Sequence, residues 1–238
     1  MALLTEQRAD LPQCDELCGA FWAANALRAS GFAVTQEAAA LVAGSVLSPP
    51  GGPSSLPPGE AGRAPDVELP VGEPSGTSAH GVARAVEELS DARLSAVPAS
   101  GAFTAGALLT LLEGIDAVAV IANVDTAALW APDVTEAEVE RYVASGDDQG
   151  PDNDWQVGHF VAIAGTRGRL LQIADSYASR AMHVQPAERV AAALRGRGLL
   201  VVTADPAAAR ARVEAAGLEP ALWDNGSPQP ASRIRVGP

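Results

Sequence analysis

Cys18, His159 and Asp175 are the residues whose types, order and surroundings point to chemistry. In chain order they read as a nucleophile, a base and an orienting carboxylate. A thiol attacks a carbonyl only as its thiolate, and the thiolate is favoured at a helix N-terminus or beside an imidazolium. Cys18 opens the run Cys18-Gly19-Ala20-Phe21-Trp22-Ala23-Ala24-Asn25-Ala26-Leu27-Arg28-Ala29, rich in helix formers at helical apolar spacing and closed by Gly31. The pattern predicts a helix with Cys18 in or just before its first turn, where unpaired N–H groups and the helix dipole favour an anion. Gly19 has no side chain and is expected to let a substrate carbonyl approach the sulfur and the adjacent amide.

The base and its orienter need a sheet to bring them together. Val157 to Gly165 is apolar and β-branched and reads as a central strand, with His159 near its start. Thr166-Arg167-Gly168 reads as a turn, and Arg169 to Ala174 as the antiparallel return strand ending at Asp175. Such a hairpin returns the Asp175 carboxylate to the end of the sheet that holds His159, where it would fix the imidazole tautomer.

Together these residues resemble the papain-like cysteine peptidases, and more narrowly the bacterial branch that cleaves double-glycine leader peptides, with its stand-alone relatives. That branch shows a Gln shortly before Cys-Gly-Ala at a helix start, then a Gly-His-Phe-Val strand, then a strand ending in Asp. Here the matching residues are Gln13, Cys18-Gly19-Ala20, Gly158-His159-Phe160-Val161 and Asp175, and the likeness spans roughly residues 10 to 203. The resemblance implies an α+β, papain-like fold, with an N-terminal helix carrying the Cys packed on a mainly antiparallel sheet carrying His and Asp. It implies Cys18 as nucleophile, His159 as base, Asp175 as orienter and Gln13 as the oxyanion-hole amide. The chain departs from the branch in having Leu17 before the Cys where Asp is usual, Ser176 after the Asp where Pro is usual, and Gln13 one residue nearer the Cys than is common.

The implied chemistry is acyl transfer through a thioester. With water as acceptor the protein is a peptidase or amidase; with an amine, thiol or carbanion it is an acyltransferase or cyclase of peptide processing or natural-product assembly. A peptide, acyl or amide substrate, free or on a carrier protein, is the expected partner. Two other readings stay open. The Leu17 and Ser176 departures suit a catalytically silent papain-like module that binds a peptide or carrier protein. A metal-dependent hydrolase is the third, although His80, His159 and His183 show no paired ligand spacing. No metal and no other cofactor is expected.

Other reactive residues have blander readings. Cys14 precedes Asp15 and Glu16, whose charges disfavour its thiolate, so it ranks behind Cys18, with a redox pair between the two as an alternative. His80 reads as a surface residue in a helix first turn, and His183 as loop or edge strand. Asn123 ends an apolar strand and reads as a turn residue sooner than a site residue. Trp155 suits either the wall of a substrate cleft or a cap on the core.

The 238 residues suffice for one domain with one sizeable core. A hydrophobic content of 47% without an apolar run of bilayer length indicates a soluble globular protein with no membrane partner. Met1 to Arg8 lacks the pattern of a secretory signal, which suggests a cytoplasmic protein with reduced cysteines. With no transporter segment or pro-segment in view either, a dedicated processing or biosynthetic enzyme is expected over a degradative protease. The net charge of −13 disfavours nucleic acid and anionic lipid. No lysine occurs, which removes Schiff-base chemistry and, with the abundance of Ala, Gly and Arg, suggests GC-rich, actinobacterial coding. Oligomeric state is not legible.

Residues 48–76 are dense in Pro, Gly and Ser and predict a long insertion loop, more a flexible linker than a substrate lid. Helices are predicted at about 81–89 with Thr77 or Ser78 as cap, 105–113, 133–145, 186–195 and 206–216. Further strands are predicted at 94–97, 118–125 and 199–202, an acidic loop at 146–154, and a loosely held tail at 217–238.

Overall fold

The structure is a computed structural model and describes residues 2–51, 55–146, 150–151 and 153–227. Its centre is a sheet of six strands: β1 (Ser95–Ser100), β2 (Ala119–Asp125), β3 (Gly158–Arg167), β4 (Leu170–Ala174), β5 (Met182–Pro186) and β6 (Gly198–Thr203). They lie in the order β1-β6-β2-β3-β4-β5, and each neighbouring pair is antiparallel.

One face of the sheet is covered by α1 (Ala2–Asp10), α2 (Cys18–Ala29), α3 (Gln36–Ala43) and α4 (Ala79–Leu89). The other is covered by α5 (Ala105–Leu112), α7 (Ala187–Ala193) and α8 (Pro206–Ala215), while α6 (Glu136–Ser145) packs beside β5. Strands covered on both faces need apolar residues at every position, which is why β2, β3 and β6 read as continuous apolar runs although the sheet is antiparallel. Alternation survives in what they touch: Ile121, Phe160 and Ala162 join the core under α2, whereas Val120, Val161 and Ile163 join the core under α5 and α7. The arrangement is α+β.

α2 is apolar almost all round and is buried from Gly19 to Leu27, as such a helix must be. Trp22 anchors it to the sheet, donating from Nε1 to the Phe160 carbonyl at 3.0 Å. A buried indole N–H that found no acceptor would be costly, so this bond also fixes the height of the helix on β3.

The β3–β4 hairpin carries an irregularity that the sequence does not announce. Ala162 faces Ala174 and Ile163 faces Ile173, but the next pair is Gly165 with Gln172, leaving Ala164 as an extra residue. Side chains alternate faces along a strand, so one extra residue reverses the relation between everything on either side of it. With the bulge, His159 and Asp175 each lie an odd number of residues from the facing Ala162–Ala174 pair and share a face. Without it they would point to opposite faces.

Elsewhere the predicted elements are found with ends shifted by a few residues. Two helices escaped the sequence reading: α3, which Thr35 caps at the Ala38 amide and Gly44 ends at φ 68°, and α1. The 217–227 part of the predicted loose tail is tied down. Glu219 bridges Ser100, Leu218 and Trp223 are buried, and Trp223 packs on Gly198. Two large apolar side chains and a backbone bridge outweigh the Gly- and Pro-rich composition there. Residues 228–238 and part of the acidic loop (147–149 and 152) lie outside the described residues.

Candidate active site

Cys18 is the first residue of α2. Leu17 occupies the cap position and supplies no side-chain cap, so the first-turn amides are left to other acceptors. Upstream, a turn closed by the Leu17 amide on the Cys14 carbonyl at 3.1 Å forces Glu16 into the left-handed region at φ 62°. A non-glycine residue held there stores strain, and here the strained turn brings Gln13 and Cys18 to the wall of one cleft.

Gly19 does a different job from the one its sequence position suggested. A Cβ there would meet Val82 Cγ2 at 2.8 Å, Thr77 Cβ at 3.0 Å and Phe160 Cδ2 at 3.2 Å. Its missing side chain admits α4 and β3 against the start of α2 and is not open to a substrate.

His159 and Asp175 are both buried, and His159 Nε2 lies 2.9 Å from Asp175 Oδ1. Cys18 lines the same cleft as this imidazole and acts on it electrostatically. With Nε2 on the carboxylate, Nδ1 is the ring nitrogen not engaged by Asp175. Burial favours the neutral imidazole, but the Asp175 carboxylate and Cys18 outweigh it and hold the His159 pKa up to about 10. Burial likewise opposes ionisation of Asp175, yet His159 and the Ser176 amide, which donates to Oδ1 at 2.6 Å, hold its pKa below the usual carboxylate value.

The ring is packed on two sides. Trp155 meets it edge-on with centroids 4.7 Å apart, and Tyr177 stacks at 5.9 Å and 26°. Trp155 thus walls the cleft and clamps the imidazole, both roles at once. Its indole N–H donates to the Ser55 carbonyl at 3.0 Å.

Gln13 lies in the same cleft and is fixed at both ends of its carboxamide. Ser176 Oγ donates to Gln13 Oε1 at 2.5 Å, and Gln13 Nε2 donates to the Tyr177 hydroxyl at 3.0 Å. Ser176 Oγ is also 3.4 Å from His159 Nε2. A proline at position 176 would have neither this hydroxyl nor the N–H that Asp175 accepts, so the departure from the branch pattern supplies two hydrogen bonds to the site.

Three contributors were missed in the sequence reading. Tyr177 had a signal, its place two residues after Asp175. Gln7 had none: from α1 it donates to the Asp175 carbonyl at 2.6 Å and the Ala181 carbonyl at 2.8 Å, bracing the strand end that carries the carboxylate. Arg197, unremarkable in sequence, lines the cleft.

Asn123 is a correction. It sits within β2 opposite Phe160, buried, with its side chain in the cleft wall, and is not a turn residue. The 48–76 segment is a second correction. Residues 52–54 lie outside the described residues, but the rest touches both walls of the cleft: the Ser48 amide donates to Glu16 at 2.5 Å, Arg63 and Asp15 exchange backbone and side-chain bonds, and Glu60 accepts from the Ser179 amide at 2.8 Å. A detached linker would make none of these.

Cys14 and His80 lie apart from Cys18, His159 and Asp175, whereas His183 is near enough to act electrostatically on Asp175 and His159. Cys14 is wholly buried, its thiol 3.5 Å from Glu37 Oε1, and burial together with Glu37 pushes its pKa up to about 12. Burial is thus the main cause, with Glu37 in place of the Asp15 and Glu16 charges suggested by sequence. Both cysteines are free. His80 is exposed in the first turn of α4, and His183 lies on edge strand β5 with its imidazole pKa lowered by burial. Among the described residues no group of three or more His, Cys, Asp or Glu side chains is placed to hold a metal ion, and no helix is long and apolar enough to cross a membrane.

Residues 1–224 match a family described as of unknown function, DUF6885, and the chain belongs to that family. No curated protein matches it.

Proposed function

We propose that this protein is a papain-like cysteine acyl-transfer enzyme acting on a peptide or amide bond in peptide processing or natural-product assembly. The observation that carries the reading is the buried imidazole held at 2.9 Å by Asp175, with Cys18 in the wall of the same cleft and acting on the ring electrostatically. A Cys at the start of a buried helix, packed on an antiparallel sheet whose hairpin supplies His and Asp, supports the papain-like assignment.

His159 takes the Cys18 proton, and the resulting thiolate adds to the substrate carbonyl, forming a C–S bond. The oxyanion is held by the second N–H of the Gln13 amide and the backbone N–H of Cys18. The intermediate collapses with cleavage of the C–N bond, the leaving amine taking the proton from His159 and departing neutral. Water or a second nucleophile, deprotonated by His159, then attacks the thioester, and the sulfur leaves to regenerate the thiolate–imidazolium pair. Water gives hydrolysis; an amine gives transfer or cyclisation. A working thiolate suits a reducing compartment, the cytoplasm.

Brief iodoacetamide treatment near pH 6 followed by peptide mapping tests this reading. Cys18 should be alkylated while Cys14, buried and held protonated, stays unmodified until the protein is denatured. Equal labelling of the two, or none at Cys18 in the native protein, would remove the basis for a thiol mechanism.

A further inference from the structure

We infer that Arg197 is the carboxylate-binding residue of this site, and that the bond cleaved or formed has a free carboxylate on its amine side, as in an amide of an amino acid. The inference rests on the acyl-transfer reading above. Arg197 lines the cleft that holds Cys18, Gln13 and His159. Nη1 donates to Asn123 Oδ1 at 3.0 Å, and among the described residues the guanidinium meets no carboxylate within ion-pair distance. Among the described residues, the other charged side chain of the cleft wall apart from the triad is Glu16, which is engaged by the Ser48 amide.

The guanidinium is aimed, not loose. Asn123 Oδ1 also accepts from Trp223 Nε1 at 3.4 Å, while Asn123 Nδ2 donates to the His159 carbonyl at 3.4 Å. The carboxamide thus ties Arg197 to the backbone of the base. Gly158, immediately before His159, makes the room: a Cβ there would lie 2.7 Å from Arg197 Nη1 and 3.0 Å from Nη2.

This position selects the leaving fragment. Gln13 and the Cys18 amide belong to the N-terminal segment and mark the oxyanion side, whereas Arg197 lies against the residue preceding the base. His159 must reach the departing amine to protonate it, so that amine and its substituents lie along the His159 side, beside the guanidinium. The planar fork of Arg matches a carboxylate with two parallel N–H···O bonds. As the C–S bond forms and the C–N bond breaks, the amine takes the His159 proton and leaves as an amino acid, its carboxylate still on Arg197. In transfer the same site would hold the carboxylate of the incoming amine.

Paired alkylating probes test this on the whole chain. N-(iodoacetyl)glycine and N-(iodoacetyl)glycinamide have the same length and differ only in a terminal carboxylate against a neutral amide. With a net charge of −13 the protein's overall field works against the anionic reagent, so any preference for it is local. The wild type should alkylate Cys18 faster with the carboxylate reagent, and Arg197→Gln should lower the carboxylate-to-amide rate ratio about tenfold, the weight of one charge-assisted hydrogen bond. Arg197→Lys should recover part of the ratio. Because the measure is a ratio on the same molecule, general loosening by the substitution cancels. A ratio unchanged in Arg197→Gln, with Cys18 still labelled in a His159-dependent way, overturns the Arg197 assignment alone. Failure of every reagent at Cys18 overturns both it and the acyl-transfer reading.

Discussion

Replacing His159 with Ala is expected to slow iodoacetamide alkylation of Cys18 at pH 6 by about a hundredfold. An ordinary thiol near pKa 8.5 is ionised to about one part in 300 at this pH, and an imidazolium beside a sulfur favours its thiolate. An acidic thiolate is intrinsically a weaker nucleophile, which returns part of the difference. The imidazole sits between Trp155 and Tyr177, so its removal leaves space in the wall, and loss of structure must be separated from loss of activation. The rate at pH 9 makes that separation: a thiol there ionises without help, and wild type and variant should differ by less than about threefold. Equal rates at pH 6 would mean that His159 does not activate Cys18.

The second large effect is expected at Asp175. Asp175→Asn should destabilise the fold by about 3 kcal/mol, the lower range for a buried pair that loses one charge. It should slow Cys18 alkylation at pH 6 by only about tenfold, because the amide oxygen still accepts the ring N–H that sets the tautomer. The stability loss should depend on pH in a definite direction. His159 is raised from 6.5 to about 10, so its contribution is complete below about pH 6.5 and is lost as pH climbs through the folded value. Asp175 is lowered from 3.8, so its contribution is complete above that value and is lost as the solution becomes more acid. The gap between wild type and variant in urea titrations should therefore be widest between about pH 4 and 6.5 and narrow on both sides. A gap that stays constant from pH 5 to 10 would contradict a charged pair.

What could be read in advance was what depends on local pattern. The Cys18 helix, the His159 strand and the hairpin ending at Asp175 announce themselves through apolar spacing, a Gly-bearing turn and strand length. Much of the rest depends on relations between distant segments. The Ala164 bulge that puts His159 and Asp175 on one face leaves no mark on composition. Gln7 and Asp175 are 168 residues apart, and α1 has too little amphipathic pattern to suggest that one of its side chains braces the carboxylate. Gly19 is the instructive failure: a glycine beside a nucleophile suggests access, but the space it frees is filled by Val82, Thr77 and Phe160. Residues 55–76 show a related limit, since Pro and Gly exclude regular structure without excluding specific contacts.

Reaction with p-nitrophenyl acetate tests the central claim most directly, because the chain has no lysine to compete for the acetyl group. The measurement is intact mass and peptide mapping of wild type and Cys18→Ala, with p-nitrophenolate release followed in parallel. A stoichiometric burst and a hydroxylamine-labile acetyl thioester on Cys18 are expected, both absent from the variant. Release at the same rate from both proteins, with no acetyl on Cys18, would contradict the claim.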